Sequence, residues 1–441
     1  MKNIFLKNAM NYYSLNHQSP ITNFKEATIR GQAPDKGLYF PEYIPQVDKD
    51  LIENIDKYSN EEIAYRVIQP YVGDMIHMEI LKEIVAETIN FPIPLVKVNE
   101  NIYSLELFHG PTLAFKDVGA RFMSRCLGYF VKDQSKKVIV LVATSGDTGG
   151  AVARGFYGVE GVEVVILYPS GKVSSVQEKQ LTTLGKNIHT LEIKGNFDDC
   201  QQMVKKAFAD ESLTSELFLT SANSINVARW LPQQFYYFLA WKQWPFKNQP
   251  PVICVPSGNF GNICAGLLAN KSGLPVSKFI AACNANDIIP NYLQSGELNL
   301  KPAVATISNA MDVANPSNFV RVMELFHQHL DETKAMLESC SVDDMTTRKT
   351  IKAVYKQYQY LLDPHTAVAY KAMDDYIQQH RDAKGIILST AHPVKFPEVV
   401  EEEIGHAIEL PEQVKDIVLK ESVKTIMGVD YSQLKDFLYK I

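Results

Sequence analysis

The chain has 441 residues, of which 46% are hydrophobic and 21% are charged, an ordinary globular composition with material for a large core. At roughly 150 residues per domain, the length predicts about two or three domains. The 44 basic and 50 acidic residues give a net charge of −6. This argues against a general binder of nucleic acid or of anionic membranes, because such proteins carry a basic excess.

Neither the start of the chain nor its cysteines indicate export. Residues 1–7 have too few consecutive apolar residues for a secretory signal, whose apolar region needs about 7–15. No apolar run approaches the roughly 18–20 residues needed to span a membrane. The six cysteines include no pair spaced as C-x-x-C, so neither a disulfide framework nor a metal site is expected. These features predict a cytoplasmic protein with free thiols.

The first 95 residues carry no glycine-rich strand ending and are predicted to be helices joined by loops. Apolar residues recur at helical spacing in residues 60–68 and 79–85. Pro92 and Pro94 mark the end of the region. Residues 1–95 are therefore expected to form a mainly helical N-terminal accessory domain.

From about residue 96 the pattern changes to short β-branched runs that end in glycine-rich turns and precede helical stretches. Five such runs are predicted as strands, at residues 138–142, 162–168, 252–255, 279–282 and 386–388. Their alternation with helices predicts a doubly wound α/β fold, with a parallel sheet covered on both faces. Ligands bind such folds beyond the carboxyl ends of the strands, so the site is expected there. Residues 411–441 are expected to be a tail of short amphipathic helices.

Residues 257–262, with the sequence SGNFGN, follow a predicted strand and precede a helical run. Two glycines let the backbone fold tightly and aim successive N–H groups into one concavity. The N-terminus of the following helix adds about half a positive charge, so the loop suits a phosphate group. The alternative is an ordinary tight turn between a strand and a helix. The loop matches neither the dinucleotide fingerprint nor the P-loop.

A second turn of this kind, TSGDTG at residues 144–149, carries three hydroxyls and one carboxylate. The hydroxyls and backbone N–H groups would suit another anion, whereas Asp147 would repel an anion in front of it. Asp147 is therefore expected to face a cation or a hydrogen-bond donor. The alternative is a capping cluster for the helix that follows.

Residues 221–229, with the sequence SANSINVAR, combine small polar groups with one arginine. Ser224 or Asn226 is expected to cap the following helix, with Arg229 about one turn into it. A guanidinium group can bind a phosphate with two parallel hydrogen bonds. The alternative is a capped helix with an arginine on its surface.

Lys116 follows an apolar turn at residues 109–115, with Arg121 and Arg125 downstream. A lysine flanked by Phe115 and near other cations can have a lowered pKa, and a neutral amine is what Schiff-base chemistry requires. The alternative for a single lysine is simple solvation at the surface.

Six segments of the chain, in order, resemble the bacterial and fungal branch of the threonine synthase family, which carries an N-terminal extension. The segments are LFHGPTLAFKD (107–117), ATSGDTG (143–149), SANSIN (221–226), PSGNFG (256–261), SNAMDV (308–313) and TAHP (390–393). The resemblance runs from GLYFP at residues 37–41 to about residue 397. It implies a pyridoxal-phosphate enzyme of fold type II. Two doubly wound parallel-sheet lobes would then occupy residues 96–410, with the smaller lobe inserted at roughly 130–225.

The resemblance also implies roles for individual residues. Lys116 matches the lysine that forms the Schiff base with pyridoxal 5'-phosphate, and Thr390 matches the hydroxyl that meets the pyridine nitrogen. Asp147 lies where related enzymes often place an asparagine near the phenolic oxygen of the cofactor. The loop that holds the cofactor phosphate matches Gly258, Asn259, Phe260, Gly261 and Asn262. The pocket for the phosphate of the substrate matches Thr144, Ser145, Thr148, Asn223, Ser224 and Arg229.

Two anion sites on different strand ends, one built from backbone and one with an arginine, agree with a phosphorylated cofactor and a phosphorylated substrate. The implied reaction converts O-phospho-L-homoserine and water to L-threonine and phosphate, in a monomer or homodimer without nucleic-acid or membrane partners. Three alternatives remain. They are a pyridoxal-phosphate-dependent serine/threonine dehydratase, a non-catalytic relative that binds phosphorylated ligands, and a nucleotide binder without this cofactor.

Overall fold

The computed structural model describes residues 10–132 and 138–441. The strands in these residues are β1 (Asn11–Ser14), β2 (Thr22–Asn23), β3 (Tyr39–Pro41), β4 (Leu95–Lys97), β5 (Ile102–Glu106), β6 (Val138–Ala143), β7 (Val162–Pro169), β8 (Ile188–Ile193), β9 (Phe218–Thr220), β10 (Val252–Pro256), β11 (Lys278–Cys283), β12 (Leu337–Ser341), β13 (Gly385–Ser389) and β14 (Thr425–Met427).

The α-helices are α1 (Phe24–Arg30), α2 (Lys49–Glu53), α3 (Asn60–Val72), α4 (Met78–Thr88), α5 (Lys116–Val131), α6 (Asp147–Phe156), α7 (Ser175–Thr182), α8 (Phe197–Ala209), α9 (Glu211–Glu216), α10 (Val227–Trp230), α11 (Gln234–Gln243), α12 (Gly261–Lys271), α13 (Ile288–Ser295), α14 (Phe319–Leu325), α15 (Leu330–Met336), α16 (Asp344–Tyr358), α17 (Pro364–Gln379), α18 (Pro397–Ile404), α19 (Glu412–Val418) and α20 (Tyr431–Lys440).

The N-terminal region combines helices α1–α4 with a small antiparallel sheet in the order β2-β1-β3. Helices α3 and α4 cover the two stretches of helical spacing, so both helix predictions are confirmed. Helix α3 begins after Ser59, whose side chain accepts a hydrogen bond from the Glu62 N–H. The sheet was not expected from the sequence, because its strands of four, two and three residues are too short for a periodic signal.

Six strands form the sheet of the larger lobe, in the order β12-β11-β10-β13-β5-β4. Neighbouring strands pair in parallel, except that β4 runs antiparallel to β5. Strand β10 is buried at every position, as expected for a strand covered on both faces. The strands predicted at residues 252–255, 279–282 and 386–388 are confirmed as β10, β11 and β13.

The sheet of the smaller lobe is parallel throughout, in the order β14-β8-β7-β6-β9. Strands β6 and β7 confirm the two remaining strand predictions. The C-terminal tail contains helices α19 and α20, but it also contributes the edge strand β14. The tail is therefore not helical throughout. The two parallel-sheet lobes confirm the predicted fold class, whereas the domain limits at residues 95 and 410 stay predictions.

Helix α5 lies where the three parts of the chain meet. It contacts α6 of the smaller lobe, α10, and α4 of the N-terminal region. Its first residue is Lys116. Among residues 10–132 and 138–441, no helix combines the length and the hydropathy needed to cross a lipid bilayer.

Candidate active site

The turn that leads into α5 is hydrogen-bonded to the residues that follow β13. The Phe115 N–H donates to the Thr390 carbonyl oxygen at 2.9 Å, and Ala114 and Ala391 form an antiparallel bridge. Lys116 therefore lies beside Thr390, although the two residues are far apart in the sequence. The structure brings the predicted Schiff-base lysine and the predicted partner of the pyridine nitrogen to one sheet edge.

Asp117 fixes the shape of the same turn. Its carboxylate accepts hydrogen bonds from the Thr112 N–H at 2.9 Å and from the Thr112 hydroxyl at 2.6 Å. Leu113, between them, adopts a left-handed backbone conformation with φ of 57°. Asp117 was not singled out from the sequence, although it stands directly after Lys116 in the LFHGPTLAFKD segment.

The Asp147 carboxylate faces two lysines. Its Oδ1 atom lies 2.6 Å from Lys395 Nζ and accepts a hydrogen bond from Gln177 Nε2 at 2.9 Å, and its Oδ2 atom lies 3.8 Å from Lys116 Nζ. The prediction that Asp147 faces a cation or a donor is confirmed. Lys395 and Gln177 were missed, because neither stands in a segment with a recognised role. The only signal for Lys395 is its position two residues after the TAHP segment.

Burial and charge perturb both groups in this cluster. Burial lowers the pKa of Lys116, Lys395 and Arg229 lower it further, and Asp147 opposes them. Burial alone would raise the pKa of Asp147, but Lys395 and Lys116 hold it well below its ordinary value. Asp147 is therefore a carboxylate at neutral pH. The surface interpretation of Lys116 is wrong, since only 15% of its side chain is exposed.

The loop after β10 forms a compact cradle. Phe260 has a left-handed backbone, with φ of 58°, and directly precedes α12. A Cβ atom on Gly258 would lie 2.5 Å from Met311 Cα, so the 308–313 segment packs directly onto the loop. The Asn262 Nδ2 atom is buried and has no hydrogen-bond partner within the described parts of the chain. These residues fit a phosphate group, because the loop joins a helix N-terminus to an unused buried donor.

The TSGDTG turn after β6 is partly a capping structure. The Thr144 hydroxyl oxygen accepts hydrogen bonds from the Gly146 N–H at 3.0 Å and the Gly149 N–H at 2.8 Å. This is the capping alternative foreseen for the motif. Ser145 and Thr148 are half-buried at the same helix N-terminus. The turn thus holds Asp147 in place and presents two further hydroxyls.

Residues 221–229 bury their arginine. Asn226 caps α10 by accepting a hydrogen bond from the Ala228 N–H at 2.9 Å, as one of two predicted caps. Arg229 is 3% exposed, so the surface alternative is wrong. Its Nη1 donates to the Ala222 carbonyl, but its buried Nε has no partner. Burial lowers the pKa of Arg229 to about 10, so it remains a cation at neutral pH. No carboxylate of the described residues forms an ion pair with it.

The two predicted anion sites touch each other. Asn259 Nδ2, in the loop after β10, donates to the Ser224 hydroxyl at 2.7 Å. Asn318 Nδ2 lies 3.4 Å from the same hydroxyl. Asn223, the one amide predicted for the substrate pocket, is half-buried in the same loop as Ser224.

Arg321 lies next to the contact between Ser224 and Asn259 and was not predicted from the sequence. It is fully buried and donates to the carbonyl oxygens of Tyr39, in the N-terminal region, and Ile225. Its Nη1 donates to Asn318 Oδ1 at 2.8 Å. Each guanidinium nitrogen has a protein acceptor, in contrast to the unpartnered Nε of Arg229. Arg321 is therefore a structural arginine, whereas the hydrogen-bonding capacity of Arg229 is not fully used by the described residues.

Three protein families match the sequence. They are described as "Pyridoxal-phosphate dependent enzyme" over residues 87–390, "Threonine synthase N terminus" over residues 11–89 and "Threonine synthase, C-terminal" over residues 366–438. The threonine synthase of Haemophilus influenzae is 45% identical over 433 residues, which is 98% of this chain and 100% of the relative.

Solved structures agree with these matches. The crystal structure of threonine synthase from Escherichia coli matches with a TM-score of 0.90 and 43% identity, covering 98% of this chain and 100% of that chain. A threonine synthase from Brucella melitensis, solved with pyridoxal phosphate bound, matches with a TM-score of 0.91 and 33% identity, covering 98% and 99%.

These relatives favour the synthase over the dehydratase that the sequence left open, and they support pyridoxal phosphate as the cofactor. The matched families extend from residue 11 to residue 438, so they account for the N-terminal region and the tail as well as the two lobes. The chain belongs to the threonine synthase family of pyridoxal-phosphate-dependent enzymes.

Proposed function

We propose that this enzyme converts O-phospho-L-homoserine and water to L-threonine and phosphate, with Lys116 as its catalytic residue. The observation that supports the phosphorylated substrate is the buried Arg229 guanidinium. It has no carboxylate partner among the described residues, and its Nε makes no hydrogen bond within them. A buried cation of this kind is costly unless it meets an anion.

The two anion sites divide the ligands between them in this proposal. Gly258, Asn259, Phe260, Gly261 and Asn262 hold the phosphate of the cofactor with backbone N–H groups and the spare Asn262 amide. The remaining cofactor contacts come from Lys116, Asp147 and Thr390. The phosphate of the substrate binds Ser145, Thr148, Asn223, Ser224 and Arg229, while Thr144 shapes the turn.

Pyridoxal phosphate, when bound, supplies an electron sink for the negative charge that builds up on the α-carbon of an amino acid. The Lys116 amine, close to Asp147, removes the proton from the α-carbon of the substrate, passes that proton on, and then removes one from its β-carbon. Arg229 and the hydroxyls around it stabilise the phosphate as it leaves the γ-carbon and gains charge. Water then adds its oxygen at the β-carbon and its proton ends on the released phosphate. The two protons taken from the substrate go to the γ-carbon, which becomes a methyl group, and back to the α-carbon. Helix α5 begins at Lys116 and helix α6 begins at Asp147. The two helix N-termini therefore hold the amine and the carboxylate near each other.

The residues proposed for both phosphate sites come from one chain. We therefore propose a monomer or a homodimer in which each chain holds a complete site. Size-exclusion chromatography with light scattering distinguishes the two states. A homodimer with activity only at concentrations where it assembles would contradict the complete site in each chain.

The proposal is tested with Arg229→Ala and purified O-phospho-L-homoserine, L-homoserine and L-serine as substrates. We expect the wild type to release threonine and phosphate from O-phospho-L-homoserine alone. The variant should keep the visible absorption of the bound cofactor, and its KM should rise about 30-fold or more, because a buried charge contact is lost.

Arg348→Ala is the matched control, since this arginine is already paired with Glu402 and Glu403. It should leave KM unchanged. Release of keto acid and ammonia from L-serine at a comparable rate would favour the dehydratase and contradict the proposal. Equal loss of cofactor and substrate binding in Arg229→Ala would contradict the assigned role of Arg229.

A further inference from the structure

Two lysines from different parts of the fold compete for one carboxylate. Asp147 is the first residue of α6, in the smaller lobe. Lys395 ends a short 3-10 turn after β13, in the larger lobe, and its side chain is fully buried. Lys116 starts α5 and lies farther from the carboxylate, at 3.8 Å against 2.6 Å for Lys395. The carboxylate thus has one close lysine and one more distant lysine.

These distances bear on which lysine keeps its proton. A carboxylate within about 4–6 Å stabilises the protonated form of an amine. If Asp147 faced Lys116 alone, the pair would favour an ammonium ion at Lys116, which cannot remove a proton from the substrate. With Lys395 at 2.6 Å, the charge of Asp147 is already compensated.

The other charged groups around Lys116 do not undo this arrangement. Arg229 approaches from α10 and, with burial and Lys395, lowers the pKa of Lys116. Asp117, on the same helix as Lys116, is engaged by both donors of Thr112.

We propose that Lys395 is a positioning residue of this enzyme: its ammonium group occupies the Asp147 carboxylate, so that the Lys116 amine stays unprotonated and available as the base. The inference rests on the catalytic role proposed for Lys116. It assigns a role to a residue outside the recognised segments, and it explains why a carboxylate can stand beside the catalytic amine without holding that amine in its protonated form.

A purely structural role for Lys395 can be separated from this one. Lys395 also donates to the Thr112 carbonyl oxygen at 2.8 Å, but Gln180 donates to the same oxygen at 3.1 Å. Asp147 likewise keeps its hydrogen bond from Gln177 when Lys395 is replaced. The Thr112 carbonyl and the Asp147 carboxylate therefore each retain a donor. The effect of removing the charge at residue 395 can then be distinguished from a loss of folding.

The test compares Lys395→Met, Asp147→Asn, the double variant and Lys395→Arg as holoenzymes. Two readouts are followed against pH: kcat/KM, and the visible absorption of the bound cofactor, which responds to protonation of the Lys116 nitrogen. We expect Lys395→Met to raise both midpoints by about one pH unit or more, and Asp147→Asn to lower them. The double variant should return toward the wild type, and Lys395→Arg should stay close to it.

Thermal unfolding of each variant reports on folding separately. Midpoints in Lys395→Met that stay at the wild-type pH, with only a lower unfolding temperature, would show a structural role and overturn the proposal. If Lys395→Met does not fold, Asp147→Asn decides, because a midpoint that does not fall contradicts the competition. Failure of the role proposed for Lys116 would give a different result. Lys116→Ala would then keep the visible absorption of the bound cofactor, with either lysine or methionine at residue 395.

Discussion

The Ser224 hydroxyl accepts a hydrogen bond from Asn259 Nδ2 at 2.7 Å, and this contact joins two loops that the sequence presents as separate anion sites. Asn259 also accepts a hydrogen bond from the Ser317 N–H through its Oδ1 at 2.6 Å, so its amide is fixed at both ends. The loop proposed for the cofactor phosphate and the loop proposed for the substrate phosphate are therefore one structural unit. A change in either loop is expected to affect both ligands.

Replacement of Lys116 by alanine should abolish turnover and the visible absorption of the bound cofactor, because the alanine side chain has no amine to bond to the cofactor or to move a proton. Absorption spectra and a threonine assay on the purified variant check this. Lys352→Ala, at an exposed position of α16, should change neither property. A Lys116→Ala variant with an unchanged visible spectrum would rule out the assignment.

Gly258→Ala should weaken cofactor binding about tenfold or more. The added Cβ atom would lie 2.5 Å from Met311 Cα, so the loop or the 308–313 segment must move, and overpacking of this kind costs about 1–3 kcal/mol. Titration of the apoenzyme with pyridoxal phosphate, followed by absorbance, measures the change. Gly428→Ala is the control, because among the described residues no heavy atom beyond its two chain neighbours lies within 4 Å of its added Cβ atom. Equal affinities in the two variants would show that the close approach at Gly258 does not shape the cradle.

Arg321→Met should destabilise the protein by about 3 kcal/mol or more. The change leaves the carbonyl oxygens of Tyr39 and Ile225 and the Asn318 Oδ1 atom without their donor, and each unsatisfied buried acceptor costs about 1–3 kcal/mol. KM for the substrate should also rise, since Ile225 adjoins Ser224. Urea unfolding and steady-state kinetics measure the two effects.

Arg66→Met is the control for this variant. Arg66 is partly exposed and its ion pair is with Glu62, one turn away on the same helix, so its loss should cost no more than about 0.5 kcal/mol. If Arg321→Met were no less stable than Arg66→Met, the buried hydrogen bonds of Arg321 would not hold the N-terminal region to the substrate loop.

His392 should make stability depend on pH. Burial lowers its pKa to about 4, and the neighbouring His109 adds to the effect. Between pH 6.5 and 4 the unfolded chain binds a proton at His392 that the folded protein does not, so stability falls as the pH falls through this window. The full contribution is about 3 kcal/mol. In the folded protein, Nδ1 of His392 accepts a hydrogen bond from the Val394 N–H at 3.1 Å, which requires that nitrogen to be unprotonated.

His392→Asn keeps an acceptor near this position and removes the titration. The free energy of unfolding, measured with urea between pH 4 and 7, should therefore depend less steeply on pH in the variant. His17→Asn is the control, because His17 is exposed and its left-handed φ of 55° suits asparagine. Identical slopes for His392→Asn and the wild type would contradict the buried neutral imidazole.

Much of the two-lobed fold could be predicted because its strands are buried on both faces. Residues 138–142 and 252–255 are continuous apolar runs, which are typical of strands in a parallel sheet covered on both faces. Strands β5, β8 and β12 escaped prediction because polar residues interrupt their apolar runs. Strands β1–β4, β9 and β14 escaped it because they have at most four residues. Over so few residues, pairing with a neighbouring strand decides the conformation more than local preference does.

The site divides in the same way. Asp147 stands in a glycine-rich turn after a predicted strand, so its need for a cation or donor could be inferred locally. The roles of Lys116 and Arg229 came from the resemblance of their segments to the threonine synthase family, since the residues alone left a surface lysine and a surface arginine open. Lys395 and Arg321 stand among ordinary residues, and nothing local distinguishes a buried lysine or arginine from a solvated one.

The sequence by itself determined the lobes, the loops at the carboxyl ends of their strands and the side chains those loops offer, because hydrophobic pattern and turn chemistry are local properties. Only the tertiary structure decided which charges face each other. The Lys395–Asp147 contact joins the two lobes, and the Arg321–Tyr39 contact joins the N-terminal region to the substrate loop. Such pairings depend on how distant segments pack, and burial then gives them their strength, because a charge removed from water must find its partner in the protein.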